Sequence, residues 1–260
     1  ARAPYVGFLD ADDLLHPQAF ELLLRVMDEH AADAVSFHYR SVPDDFVLSD
    51  PEPFVIASEA AAATVDTAPF LSFFSKRHKR ESAAAWTRLY RRESLAGITF
   101  PEGVHFAEDL VFVAKVMSRI RTIAVVQRVL LYYRDNPASA TKLPLTRRQL
   151  VSYGQAARLV YAHFQEQPPN PRESVMVAAF LATLVYKTCV VPFLRDERLR
   201  ADAALVKLAR EQWLELLEKG VVEPARLSLR KRLAGWCFAG NRLALGRRLD
   251  ALAARKGRTP

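Results

Sequence analysis

A break in pattern near residue 144 limits what this chain can become. Before it, short apolar runs of strand character alternate with amphipathic helical stretches; after it no strand signal returns. Tyr5–Leu9 and Ala34–Arg40 read as strands, and Thr122–Val126 with Val129–Tyr133 as two more, close together. Phe20, Leu23, Leu24 and Met27 recur at helical spacing behind Pro17, which predicts a helix over about 17–30. Ser58–Val65 and Pro69–Ser75 are expected to be short helices. So is Arg91–Ala96, closed by Gly97. Leu110, Val113, Ala114 and Met117 predict a helix over 108–117. Beyond the break, helices are expected over about 145–166, 172–190, 197–218, 224–238 and 241–255, with Pro168-Pro-Asn-Pro171 between the first two. The expected fold is α/β: a mixed sheet with helices over 1–143, then an all-α region over 144–260.

The first strand runs into Asp10-Ala-Asp12-Asp13. Alternate side chains of a strand point the same way, so two acids at i and i+2 can converge on one hard cation. Mg²⁺ or Mn²⁺ prefers such oxygen ligands and keeps positions open for phosphate. The competing reading is an Asp-rich turn capping the next helix. A second acidic pair, Glu108-Asp109, stands where a helix begins, which is also where helix-dipole chemistry alone would put acids. His105-x-x-Glu108 has no second His at zinc spacing.

Four segments in order resemble family 2 glycosyltransferases: the strand ending in Asp10-Ala-Asp12; Trp86-x-x-Leu89-Tyr90-x-Arg92-Glu93 followed by Phe100-Pro-Glu-Gly103; Glu108-Asp109-x-x-Phe112; and Tyr132-Tyr-Arg134 followed by Ser139 and Thr141. The resemblance covers about 4–142. It implies a GT-A fold and an inverting transferase that moves a sugar from a nucleotide-sugar donor to a hydroxyl acceptor. By that resemblance Asp12, with Asp10 beside it, binds Mg²⁺ or Mn²⁺, supported by Asp13. Asp109, next to Glu108, is the base, and Arg134, Ser139 and Thr141 contact the diphosphate. Trp86 is a candidate sugar platform and His105 an acceptor-side residue. The implied acceptor is a polysaccharide, a teichoic-type polymer or a lipid-linked molecule. Thr87 stands where many relatives carry Asn.

The family's opening strands, roughly 80–90 residues ahead of the acidic motif in a doubly wound order, have no counterpart before Tyr5. The chain is therefore expected to be a piece of a longer protein, a partial GT-A domain that binds nucleotide sugar poorly on its own. Two other readings stand beside the transferase. One is a haloacid-dehalogenase-type phosphatase, which also places Asp-x-Asp after an early strand. The other is a non-catalytic transferase-like anchoring module.

Charge is unevenly spread. Of 37 Lys and Arg, ten fall in 226–258 against one acid, Asp250; elsewhere 27 basic groups face 28 acidic ones. Arg226-Leu-Ser-Leu-Arg-Lys-Arg-Leu-Ala-Gly-Trp-Cys-Phe238 alternates cations with apolar groups, which suits an anionic membrane face, with Trp236 and Phe238 below the headgroups. A helix packed on its own domain reads equally well. No nucleic-acid motif accompanies the charge. Cys189 and Cys237 sit in apolar surroundings and are expected to be buried thiols, which suits a cytoplasmic protein, peripheral on the inner membrane face. Val175–Leu194, broken by Lys187 and Pro192, is expected to be a buried helix rather than a membrane span.

Overall fold

The computed structural model describes residues 2–49, 51–74, 83–136 and 144–248. It falls into two compact units: Ala1–Phe100 with Phe112–Leu143, and Pro101–Val111 with Pro144–Pro260. The segment 101–111, counted with the first domain in the sequence reading, groups with the helical unit.

The first unit is a mixed sheet of six strands: β1 (Tyr5–Gly7), β2 (Leu14–Leu15), β3 (Ala34–Pro43), β4 (Thr64–Asp66), β5 (Arg88–Arg91) and β6 (Ile123–Asp135). Their order is β1-β5-β3-β6-β2, with β4 also on β6. Only β3 and β6 pair in parallel; the other pairs are antiparallel. Helix α1 (Ala19–Glu29) closes one side. It buries Ala19, Leu22, Leu23, Val26 and Met27 against Val35, Phe37, Leu89, Ala124, Val126, Leu130 and Leu131. Each of the larger side chains contributes about 2 kcal/mol by leaving water. Phe20, which the spacing counted with the inner face, points to solvent instead.

Two further expectations fail locally. Residues 58–65 divide into α2 (Ile56–Ala61) and strand β4. The β-branched Thr64 and Val65 pair with Val125 and Ala124, so sheet pairing overrides the helical reading. The two strands expected over 122–133 are one strand. The break between them is an irregularity in the β3–β6 register at Phe37–Tyr39, where Gln127, Arg128 and Val129 turn outward. Short helix α3 (Pro69–Phe74) packs Phe70, Phe73 and Phe74 together.

Helix α4 (Glu108–Arg119) carries the boundary between the units, between Val111 and Phe112. The second unit holds α5 (Arg147–Glu166), α6 (Pro171–Val185), α7 (Val191–Arg195), α8 (Glu197–Ala201), α9 (Ala203–Glu218) and α10 (Leu229–Ala239). Capping boxes open α5 (Thr146 with Gln149) and α6 (Asn170 with Glu173). Lys187 and Pro192 do not break the apolar stretch. Tyr186–Val190 forms a π turn, and its wider ring just ahead of Pro192 relieves the clash that proline makes with the preceding turn. Pro171–Arg195 is thus one helical stretch long and apolar enough to cross a membrane. It also buries Val177, Leu181, Ala182, Val185, Cys189, Phe193 and Leu194 within its own unit.

Close backbone approaches lock this unit. A Cβ on Gly154 of α5 would fall 2.4 Å from the Gln212 side chain of α9. Gln212 uses that room to donate to the Leu150 carbonyl at 2.8 Å and to Cys189 Sγ at 3.3 Å. Cys189 and Cys237 are both buried free thiols, as expected.

Candidate functional site

In the first unit the opening strand stops at Gly7, so Asp10 and Asp12 do not sit at alternate strand positions. They lie in a turn, closed by the Asp13 N–H donating to the Asp10 carbonyl at 3.1 Å. A short aromatic cluster leads into it: Phe8 packs edge-on to Phe100, Phe112 and Tyr90. Asp10 and Asp12 are exposed; Asp13 is the buried member.

Asp13 Oδ1 accepts from the Arg134 backbone N–H at 3.0 Å, which ties the turn to the end of β6. Its Oδ2 is buried with no hydrogen-bond partner in the protein. Burial pushes the Asp13 carboxyl above the ordinary carboxylate value. The Arg134 N–H bond draws it back, and the charges of Asp12 and Asp10 push it up again. Arg134 itself donates from Nη2 to the Phe46 carbonyl at 3.1 Å, while its Nε is buried without a partner. Next to it on β6, Tyr133 stacks on Trp86 at 5.6 Å and 11°. Tyr39 of β3 meets Trp86 edge-on at 4.9 Å and is 47% exposed. Trp86 is half-buried, packed on the core by one side. Thr87 is buried and donates to the Ala84 carbonyl at 2.9 Å, so it braces the 3₁₀ turn that presents Trp86.

The second unit carries His105, Glu108 and Asp109. His105 is exposed; Glu108 and Asp109 are half-buried in the first turn of α4. Ala107, just ahead, has φ 64, a left-handed backbone that costs a non-glycine residue about 1 kcal/mol. Ser152 of α5 holds this segment. Its Oγ accepts from the His105 and Phe106 N–H groups, both at 3.0 Å, and donates to the Phe106 carbonyl at 3.1 Å. The neighbouring Tyr153 hydroxyl is pushed up, first by burial and then by the Glu108 carboxylate.

The predicted residues therefore form two groups, each within its own unit: Asp10, Asp12, Trp86 and Arg134 in one, His105, Glu108 and Asp109 in the other. Ser139 and Thr141 lie outside the described residues. Sequence reasoning missed Ser152, Tyr153, Tyr39 and Tyr133. The Thr146-x-x-Gln149 capping box was a visible signal for α5, but nothing marked Ser152 on it. Among the described residues no three His, Cys, Asp or Glu gather to hold a metal ion. The turn's donor set, exposed carboxylates beside an unpartnered buried carboxylate oxygen, fits a hard cation that takes its other ligands from phosphate and water.

A mixed sheet with an acidic turn after its opening strand, followed by a helical region, is a fold of the GT-A type. Crystal structures of S. aureus TarS 1–349 share this fold, with a TM-score of 0.64 at 16% identity over 99% of this chain and 68% of that one. The same TarS fragment in complex with UDP-GlcNAc gives 0.66 at 15%, over 99% and 69%. The uncharacterized glycosyltransferase EpsJ of Bacillus subtilis (strain 168) is 30% identical over 149 residues, 55% of this chain and 41% of EpsJ, so the chain spans less than half of that relative. Residues 1–98 match the model of glycosyl transferase family 2. The phosphatase alternative falls here: it needs a parallel sheet, and β1 pairs antiparallel with β5.

Proposed function

We propose that this chain forms part of an inverting, metal-dependent glycosyltransferase that moves a sugar from a nucleotide-sugar donor to an acceptor hydroxyl. The observation that carries the reading is the Asp10–Asp13 turn, with its unpartnered buried carboxylate oxygen, inside the segment that matches family 2. The UDP-GlcNAc complex of TarS, a protein of the same fold, supports a nucleotide-sugar donor.

In this reading Asp12 and Asp10 are the residues that would hold Mg²⁺ or Mn²⁺. Such a cation would supply charge stabilisation for a departing nucleoside diphosphate. Arg134 adds a guanidinium on the phosphate side, where a fork of donors suits anionic oxygen. Asp109 accepts the proton of the acceptor hydroxyl, and that oxygen attacks the anomeric carbon on the face opposite the departing diphosphate, inverting its configuration. The half-buried Trp86 and exposed Tyr39 offer aromatic area for a sugar ring. The acceptor is a surface or wall polymer, or a lipid-linked molecule.

The test is metal-dependent release of nucleoside diphosphate from nucleotide sugar by the protein that carries this chain. Asp12→Ala and Asp109→Asn should each reduce turnover by at least about a hundredfold. Wild-type rates in both variants would reject the reading. Intact nucleotide-sugar binding with no turnover in the unmodified protein would favour the non-catalytic module.

A further inference from the structure

Helix α10 is a docked helix that keeps an apolar stripe in water. It buries Ala234, Gly235, Cys237 and Phe238. Phe238, expected to reach a membrane, is 0% exposed and packs on Phe193 at 5.7 Å. On the opposite side Leu229 is 62% exposed, Leu233 41% and Trp236 60%. Their spacing of i, i+4 and i+7 puts the three on one face. The helix cannot roll to hide them. Gly235 lies so close to Trp213 of α9 that a Cβ there would fall 2.7 Å from the indole. A further leucine, Leu245, is 46% exposed in the helical residues 243–248.

Cations accompany these apolar groups. Arg232 adjoins the stripe, and Arg242 sits over the Trp236 ring at 5.2 Å. Arg247 and Arg248 are exposed. The ion pairs of this unit use other residues: Arg158 and Lys219 with Glu215, Lys207 with Glu211, and Arg226 with Glu223. Among the described residues no acid pairs with Arg232, Arg242, Arg247 or Arg248.

We propose that this face docks the protein on an anionic phospholipid bilayer. Leu229, Leu233 and Trp236 enter the boundary between headgroups and acyl chains, and the four arginines meet lipid phosphates. Charge complementarity selects this occupant. A second copy would present the same uncompensated arginines and be repelled. A nucleic acid would use the cations but leave three large apolar side chains in water. The lipid interface accommodates both. The inference stands apart from the transfer reaction and needs no turnover to be tested.

The experiment is vesicle flotation of the full chain, with phosphatidylglycerol-containing or pure phosphatidylcholine vesicles. Binding is expected to the anionic vesicles only, and to weaken with salt. Arg232→Gln/Arg242→Gln should weaken it about fivefold per charge lost. Leu233→Ser/Trp236→Ser should weaken it at least about tenfold at unchanged charge. Both pairs lie on the surface, so far-ultraviolet circular dichroism and melting should match the wild type. Equal flotation with both lipids would overturn the proposal. So would a Leu233→Ser/Trp236→Ser variant that binds like the wild type, which would leave only diffuse charge attraction. Light scattering that shows a stable dimer lost in that same variant would also overturn it.

Discussion

Replacing Ser152 with Ala removes one oxygen that makes three hydrogen bonds to the segment leading into α4. Ser152 is 2% exposed, and Phe106 is half-buried, so water replaces these bonds poorly. An orphaned buried polar group costs about 1–3 kcal/mol. His105 is exposed and its N–H can turn to water, so about 2 kcal/mol of the loss falls on Phe106. Alanine returns about 0.5 kcal/mol of helix propensity to α5. The net is about 1.5 kcal/mol. In urea the midpoint should fall with the slope unchanged. Amide exchange at Phe106 should accelerate about tenfold, because the left-handed Ala107 next to it loses its restraint. In the transfer assay turnover should drop while metal and donor binding hold, since Phe106, the residue released, lies three residues ahead of Asp109 and within the same unit. An unchanged midpoint together with unchanged exchange at Phe106 would refute the claim that this hydroxyl pins the acidic pair.

Gly154→Ala should destabilise by about 2 kcal/mol, since overpacking against Gln212 outweighs the gain in helix propensity; Gly154→Ala/Gln212→Ala should recover part of it, read by the same urea melts. Asp13→Asn keeps an acceptor for the Arg134 N–H and removes a buried charge. The folded carboxyl binds its proton more tightly than the unfolded one, so this residue loses stability for the protein as pH rises from near 3.8 through its raised folded value. The variant's stability relative to wild type should therefore climb over that window, and a pH-independent difference in melts would contradict the burial argument. The Cys189 thiol is pushed up to about 11 by burial, so the native protein should resist a thiol reagent at mildly alkaline pH and react at two sites once unfolded. Fast labelling before unfolding would show the core to be open.

The periodic elements were legible because burial and local spacing agree. Helix α1 and the first half of β6 follow their apolar patterns, and the loss of strand signal after 144 holds among the described residues. Where non-local pairing decides, the sequence was silent. Thr64-Val65 becomes a strand only because β6 offers Val125 and Ala124. The acidic motif was found, but its geometry was not. Strand alternation pointed to Asp10 and Asp12 on one side, whereas the backbone turns at Asp10 and buries Asp13. What selects Asp13 is the Arg134 N–H, 121 residues away in the sequence. Ser152 was invisible for the same reason: a serine inside a helical stretch carries no mark of the loop it will hold.

That buried acid also separates a structural from a functional reading of the turn. A turn needing only an acceptor for the Arg134 N–H would be served by asparagine without the cost of a buried charge. Asp13 instead has one oxygen committed to the fold and one with no protein partner, with two further carboxylates in the same turn raising its cost. Like charges held together against their own repulsion are stabilised by an opposite charge and by little else. A local rule broken without structural compensation is the signature of a site whose counterpart arrives from solution. In the function proposed above, that counterpart would be a cation with its phosphate ligands. Added Mn²⁺ should therefore raise the melting temperature of the wild type and leave Asp12→Ala nearly unmoved. Equal shifts in both proteins would leave the turn a purely structural role, since no side chain of it caps α1.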